Sequence, residues 1–533
     1  MTTAFAKVPV PIVSEAAGQL DLTGRGQMAW NVIISWAGQF VFIVAGFIMP
    51  RMIDRRLGQE TLGIWDFSWS MVGYFGLIQA GVGSSVNRYV AKYRARGEMD
   101  KVSEVVSSIS MLLCVMGLIV LVLTAAMSYL LPFLWHQRLG ARVADAQVVL
   151  LALGASLAVE VGMGGFAGVI TGCHRWDIHN YIKAGWHLIT VAGMILMLRL
   201  GLGIRSLALM SLAGLVLADL NHALYAFLLC PEMCISLRFV RLSMIRDAFS
   251  FGVKTLAPSI GDLLLNQTAS VLVASFLGPA ALALYSRPRS LALHTGMLVS
   301  KLAFVLTPAA SALQSSRREE ELRELFINAT RYAAFISLPI TVGLSIMGGP
   351  LLLLWMGPGY ANGALVALIA FGNLAMLTFM PAMSILAGLN AHGRPGMVHL
   401  LAAICSVGLV SLTLGPLKMG LEGVAMAVGL PLTIGYGICI SFYACKRLGI
   451  PWTAFLWKAL SMPLLCVTPL AICLATFRVL MSTQPLRGLW LGVVVGGLLL
   501  AIVYWRYVVP HSFRTRVLQR AGMRKSDLLT DVE

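Results

Sequence analysis

Asp262 and Asn266 stand four residues apart in an otherwise apolar run, so on a helix they share one face, which Gln267 and Thr268 extend. Other ionisable residues sit within similar runs: Glu160, Asp219 with His222 three residues on, and Lys301. Arg51, Lys254, Arg287 and Arg289 lie near run ends. A charge at the centre of a membrane helix costs about 2.5–3.5 kcal/mol or more, so each such residue faces a cavity or a partner. Two kinds of chemistry follow. Cations along a passage offset the charge of an anionic cargo in low dielectric, and Arg adds bidentate geometry. Lys301, Lys254, Arg51 and Arg287, with Asn266 beside them, are the candidate substrate-binding residues. Carboxylates in such surroundings can exchange a proton or a sodium ion with a gradient, which makes Asp262, Asp219 and Glu160 the ion-coupling candidates. Simpler roles compete: snorkelling for the four cations near run ends, interhelical hydrogen bonding for the Asp262 face, and a structural Lys or Arg partner for each carboxylate. Cys230 and Cys234 lack the second pair a zinc site needs, so all nine Cys read as small packing residues, and neither a metal nor a cofactor is expected.

The elements that must position these residues are membrane helices. Of 533 residues 58% are hydrophobic and only 12% charged, against about 25% charged in soluble domains. Mean hydropathy is +0.82. Apolar runs long enough to cross hydrocarbon recur at about 28–50, 62–84, 105–131, 147–170, 184–202, 206–229, 255–278, 290–313, 330–356, 363–388, 396–417, 420–444, 459–480 and 489–508. The expected fold class is therefore an all-α polytopic membrane protein of about 14 transmembrane helices. Pro258, Pro308, Pro339, Pro381, Pro431 and Pro463 fall inside runs, where they serve as hinges or as ordinary membrane-helix prolines.

The net charge of +17 is dispersed over short loops, which argues against a nucleic-acid partner. About 27 Lys and Arg fall on the side of the termini and about 12 on the other, with Lys301 inside a run. The positive-inside rule then puts both termini in the cytoplasm of a multi-pass protein of the bacterial inner membrane. Residues 1–27 are polar, and the first run is too long for a cleavable signal. The longest outer connection spans roughly residues 132–146, too short for a soluble domain.

The chain resembles itself at an offset of about 220 residues. Leu57-Gly58-Gln59-Glu60-Thr61-Leu62-Gly63-Ile64-Trp65 matches Leu277-Gly278-Pro279-Ala280-Ala281-Leu282-Ala283-Leu284-Tyr285. Arg96-Gly97-Glu98 falls opposite Arg318-Glu319, Trp135 opposite Trp355, Ala167-Gly168 opposite Ala387-Gly388, and Gly203 to Ala208 opposite Gly420 to Ala425. Six runs per unit give two pseudo-symmetric six-helix bundles of like orientation, a transporter arrangement with its site between the halves. The expected organisation is an N-terminal cytoplasmic tail (1–27), bundles at 28–245 and 246–450, two additional helices (451–508) and a C-terminal cytoplasmic tail (509–533).

The segment from Leu57 to Trp65, continuing through Gly73-Tyr74-Phe75-Gly76 to Gly81-Val82-Gly83-Ser84-Ser85-Val86-Asn87-Arg88-Tyr89, resembles the polysaccharide-export flippases that handle O-antigen and exopolysaccharide units. They belong to the multidrug/oligosaccharidyl-lipid/polysaccharide exporter superfamily. The segment from Phe276 through Pro308 is similar to the same family's seventh and eighth spans. The resemblance covers roughly residues 28–450. It implies two bundles forming a V, alternating access, and a polyprenyl-pyrophosphate-linked oligosaccharide as cargo. It also implies membrane lipids and other polysaccharide-assembly proteins as partners, with proton or sodium coupling. One departure stands out: Gln267 is followed by Thr268-Ala269-Ser270 where the family often carries a charge, and the nearby charge is Asp262. Two alternatives remain: an ion-coupled exporter of small molecules or drugs with the same fold, and a membrane polysaccharide polymerase or glycosyltransferase. The enzyme is disfavoured because the chain has neither a long external loop nor an Asp-x-Asp motif.

Overall fold

In lipid a helix satisfies every backbone N–H and C=O within itself, and in this computed structural model the described residues, 25–79, 83–253, 256–509 and 514–515, form helices joined by short turns. The first half comprises α1 (Arg25–Leu57), α2 (Gln59–Phe75), α3 (Gly83–Arg94), α4 (Met99–Leu139), α5 (Val143–Gly172), α6 (Trp176–Arg199) and α7 (Ile204–Leu229). The second comprises α8 (Leu242–Val253), α9 (Leu256–Leu263), α10 (Ala269–Leu277), α11 (Pro279–Phe304), α12 (Leu306–Ser315), α13 (Glu319–Trp355), α14 (Gly363–Gly388), α15 (Gly393–Leu414), α16 (Gly420–Ile434) and α17 (Ser441–Leu448). Two further helices, α18 (Trp452–Leu480) and α19 (Pro485–Tyr507), pack on α13, with Phe455 stacked on Phe326 and the Tyr504 hydroxyl donating to the Phe335 carbonyl at 2.6 Å. π-helical turns join α9 to α10 (Leu264–Thr268) and α16 to α17 (Gly435–Ile440).

Among the described residues twelve helices are long and apolar enough to cross a membrane. The two expected spans missing from that set, 62–84 and 290–313, are the broken pairs α2–α3 and α11–α12, and they complete the fourteen-span fold. The outer connection expected at 132–146 is instead helix on both sides of a three-residue 3-10 turn, Gly140–Arg142. Nor are all nine Cys packing residues: Cys173, Cys230, Cys445 and Cys466 are buried, whereas Cys114, Cys234, Cys405 and Cys439 are exposed.

The repeat is written into the backbone. Left-handed residues punctuate the first half at Gly58, Gly97, Gly140, His174 and Gly201, and the second at Gly278, Arg317, Gly357, Asn390 and Gly420. Gly58 and Gly278, with φ of 87° and 90°, turn the chain between α1 and α2 and between α10 and α11, a conformation open to residues without a Cβ. Residues 230–241 connect the halves and lie along α4, where Ser103, Ser107 and Ser108 accept from the backbone N–H groups of Cys234, Ser236 and Arg241.

The halves meet at one end. There a single apolar core runs from Ile64, Phe67 and Leu139 in the first half to Val273, Leu282 and Val424 in the second, and a neighbouring one joins Ile53 and Leu62 to Leu352 and Tyr360. At the opposite end the core divides. One cluster, around Val90, Ile109 and Ile170, is built from the first half and the connection after it, with Met244 of α8 packed against it; another, around Phe326, Ile385 and Phe455, belongs to the second. This is a V joined at the end where α1 turns into α2.

The joint is a close crossing of α2 over the start of α11. A Cβ on Gly63 would sit 1.8 Å from the Pro279 carbonyl oxygen, so no larger residue fits without separating the helices. We expect Gly63→Ala to loosen this end. In a cysteine-free background carrying Gln59→Cys and Ala280→Cys, a short bifunctional thiol reagent should link the halves readily, and Gly63→Ala should slow that linkage severalfold. An unchanged rate would show that the crossing tolerates a methyl group.

Candidate functional site

Two turns along α2 from Gly58, Asp66 faces Arg287 of α11. Arg287 is buried and Asp66 nearly so, and one guanidinium nitrogen donates to both carboxylate oxygens at 2.6 and 2.5 Å. The 221-residue separation of the pair is the repeat offset, so equivalent helices contribute the two charges. Removing either partner alone from a buried pair strands the other charge at a cost of about 3–5 kcal/mol. Around the pair lie further bonds between halves. Arg51 donates to the Leu354 carbonyl at 2.8 Å, Trp355 to the Phe47 carbonyl at 2.6 Å, and the Tyr360 hydroxyl to Asp54 at 2.6 Å. Trp135 donates to Ser275 at 2.7 Å, and farther along α2 the Tyr74 hydroxyl donates to Thr268 at 2.6 Å. The Nε–H groups of Arg51 and Arg287 are buried without a partner among the described residues, which leaves each cation one donor in reserve.

In the second half the π-helical turn widens the helix beside Asn266. Arg289 donates to the Asn266 backbone carbonyl, to its side-chain oxygen at 3.1 Å and to Ser270 at 3.2 Å. The polar face expected to unite Asp262 and Asn266 is thus divided, because Asp262 reaches the other way. Its Oδ1 lies 3.2 Å from His399 Nε2, while His399 Nδ1 meets the Tyr436 hydroxyl at 3.0 Å.

In the first half Glu160, Asp219 and His222 face one cavity of about 770 Å³ between α1, α2, α3, α5, α6 and α7. His222 Nδ1 lies 3.2 Å from Asp219, and the His179 ring stacks on that of His222 at 5.1 Å. Lys183 extends over the Phe42 ring on the same wall.

The sequence-derived candidates therefore separate into three places. Arg51 and Arg287 hold the joint, Asn266 and Asp262 mark the π-helical turn of the second half, and Glu160 with Asp219 lines the first-half cavity. Lys254 lies outside the described residues, as does the side chain of Lys301 within α11. Sequence reasoning missed Asp66, although an acid inside a span, one residue out of register with Arg287 in the repeat, is a readable signal. His399, Tyr436 and Lys183 were missed as well, and nothing short of the fold brings the first two to Asp262.

These features define a class: a polytopic membrane protein with the fold of the MOP-superfamily transporters. The chain superimposes on the lipid II flippase MurJ in an inward closed conformation with a TM-score of 0.66 at 15% identity, covering 90% of this chain and 100% of that one. With an inward-facing multidrug resistance MATE family transporter of the MOP superfamily the TM-score is also 0.66 at 15% identity, over 77% of this chain and 94% of the other. The uncharacterized membrane protein EpsK of Bacillus subtilis (strain 168) is 24% identical over 421 residues, 78% of this chain and 83% of EpsK. Residues 96–364 match the family model described as polysaccharide biosynthesis protein. The chain belongs to that family.

The Asp66–Arg287 pair yields a direct test. Asp66→Ala and Arg287→Ala should each lower the melting temperature of the purified protein, since each strands a buried charge. The exchange Asp66→Arg with Arg287→Asp should recover a good part of the loss. Melting temperatures unchanged in the single variants would mean that the pair contributes nothing to joining the halves.

Proposed function

We propose that this protein is a flippase that moves a polyprenyl-pyrophosphate-linked oligosaccharide across the bacterial inner membrane by alternating access, for assembly of a surface polysaccharide. One observation carries the reading: a chain of the polysaccharide biosynthesis family has its halves joined by a common core at one end and parted into two cores at the other. With both termini in the cytoplasm, as the Lys and Arg distribution indicates, the joined end is periplasmic and the V opens inward. An inward-facing MATE structure superimposes on it with a TM-score of 0.66 and an outward-facing one with 0.58, which fits.

In this reading Arg287 and Arg51 serve twice. In the inward-open state they tie the halves to Asp66 and to the Leu354 carbonyl. When the halves part at that end, the same cations, with Lys301, Lys254 and Asn266, line the passage and receive the pyrophosphate. Arg suits this exchange because its planar fork fits carboxylate and phosphate oxygens alike. Asp219 beside His222, Asp262 beside His399, and Glu160 are the carboxylates through which a proton or sodium gradient would reset the cycle. The chemistry is movement rather than bond-making, with membrane lipids and other polysaccharide-assembly proteins as its surroundings.

Deleting the gene should trap undecaprenyl-linked glycan on the cytoplasmic leaflet and abolish surface polysaccharide. Lys301→Ala and Asp262→Ala should reproduce the loss at normal protein abundance. Unaltered lipid-linked intermediates, together with changed dye efflux, would favour the small-molecule exporter of the same fold. Wild-type surface glycan in both point variants would remove Lys301 and Asp262 from the working set.

A further inference from the structure

The 770 Å³ first-half cavity has a lining most of which the gating and coupling roles leave unused. Trp65 and Trp69 of α2 and Trp176 and Trp186 of α6 line its walls, with Glu160 and Lys183 among them. A buried indole N–H ordinarily finds a hydrogen-bond acceptor. Trp135, Trp355 and Trp452 obey that rule, donating to Ser275, to the Phe47 carbonyl and to Ser441. The N–H groups of the four cavity indoles are not closed off in this way: they stay accessible, with no acceptor among the described residues. Trp69 and Trp176 line the cavity with 47% and 41% of their surface accessible. Flat apolar faces are thus presented together with unused N–H donors. Glu160 is accessible too, and none of the described residues donates a hydrogen bond to it, so it stands as an open acceptor beside the Lys183 donor.

We infer that this cavity is a saccharide-binding site, in which pyranose rings of the cargo's glycan lie against the indole faces and their hydroxyls bond to Glu160, Lys183 and the indole N–H groups. A sugar ring has the complementary form: an apolar C–H face and an equatorial rim of hydroxyls. The volume lies within the range of about 300–1,000 Å³ for small-molecule sites and holds part of an oligosaccharide, not a whole glycolipid. Glu160 and Lys183 balance in charge, which suits uncharged rings and leaves the pyrophosphate to the arginines between the halves. Asp219 also lines the cavity but is only 7% exposed and engaged with His222, so it is left to coupling rather than to sugar contact. The inference rests on the flippase reading and adds to it the place where the sugar is held.

The test uses the full-length protein in lipid nanodiscs and, as probe, the oligosaccharide released by mild acid from the host's own lipid-linked pool, which carries neither lipid nor pyrophosphate. Wild-type protein should bind it saturably, with a change in tryptophan fluorescence. Trp69→Leu and Trp186→Leu should each weaken binding by about tenfold, given the strength of a stacked aromatic contact. Trp69→Phe and Trp186→Phe keep a ring but lose the N–H, and should fall between. They also keep the test decisive if a Leu variant is poorly folded. Trp457→Leu, at an exposed position on α18, should bind as wild type. Equal binding by wild type and all cavity variants would overturn the inference. If deletion traps lipid-linked glycan but the Trp variants export it normally, this assignment alone falls. If deletion traps none, the flippase reading falls with it.

Discussion

Two unlike charges meet where the protein is driest, and much of the architecture depends on that meeting. A lone carboxylate or guanidinium between membrane helices is prohibitive, so Asp66 and Arg287 are tolerable only while α2 and α11 stay crossed. Gly63 allows the crossing by letting the Pro279 carbonyl approach the α2 backbone. The left-handed glycines before both helices aim them at one another. The apolar core common to the halves forms around the same crossing. Such a pair contributes little net stability against a well-packed apolar alternative. In the proposed alternating-access cycle its value would be conditional, because it would exist only in the state that holds these helices together.

Polarity of this kind explains why α2–α3 and α11–α12 are the two spans too broken or too polar to pass as simple membrane helices. A segment devoted to contact with lipid has no use for Asp66, Arg287 or Arg289. A segment that faces its pseudo-symmetric counterpart does, and breaks in its helix let the two ends of a span tilt separately. The π-helical turns at Leu264–Thr268 and Gly435–Ile440 work to the same end, freeing the Asn266 carbonyl for Arg289 and placing Tyr436 on His399.

The apolar runs make the membrane class and the number of spans readable from sequence, and the landmarks at an offset of 220 make the pairing of halves readable. Gly58 and Gly278 are visible as matching letters, and the structure gives the reason in their matching φ angles. The site is less legible. Sequence spacing places residues on one helix face but carries no information about which helices touch. Arg287 is legible as a cation and Asp66 as an acid inside a run, but their spacing does not say that the two side chains meet. Asp262 and Asn266 are joined by i,i+4 arithmetic that a π-helical turn cancels. The tryptophans of α2 and α6 stand plainly in the sequence and look like ordinary membrane residues. Only packing shows that their N–H groups have no acceptor among the described residues.

A ligand can shift a two-state equilibrium only by the difference in its affinity for the two states. If the cargo is a pyrophosphate, it acts directly on the contact that holds the present state, because it offers Arg287 the charge that Asp66 now supplies. Opening the joint without cargo would strand a guanidinium and a carboxylate, whereas opening it around a phosphate strands only the carboxylate. In the proposed cycle that stranded carboxylate is the part of the opening cost that a pyrophosphate cargo leaves uncompensated. A neutral or cationic cargo would gain nothing from such a latch, so an anionic cargo is favoured by the Asp66–Arg287 pair rather than by the overall charge of the protein.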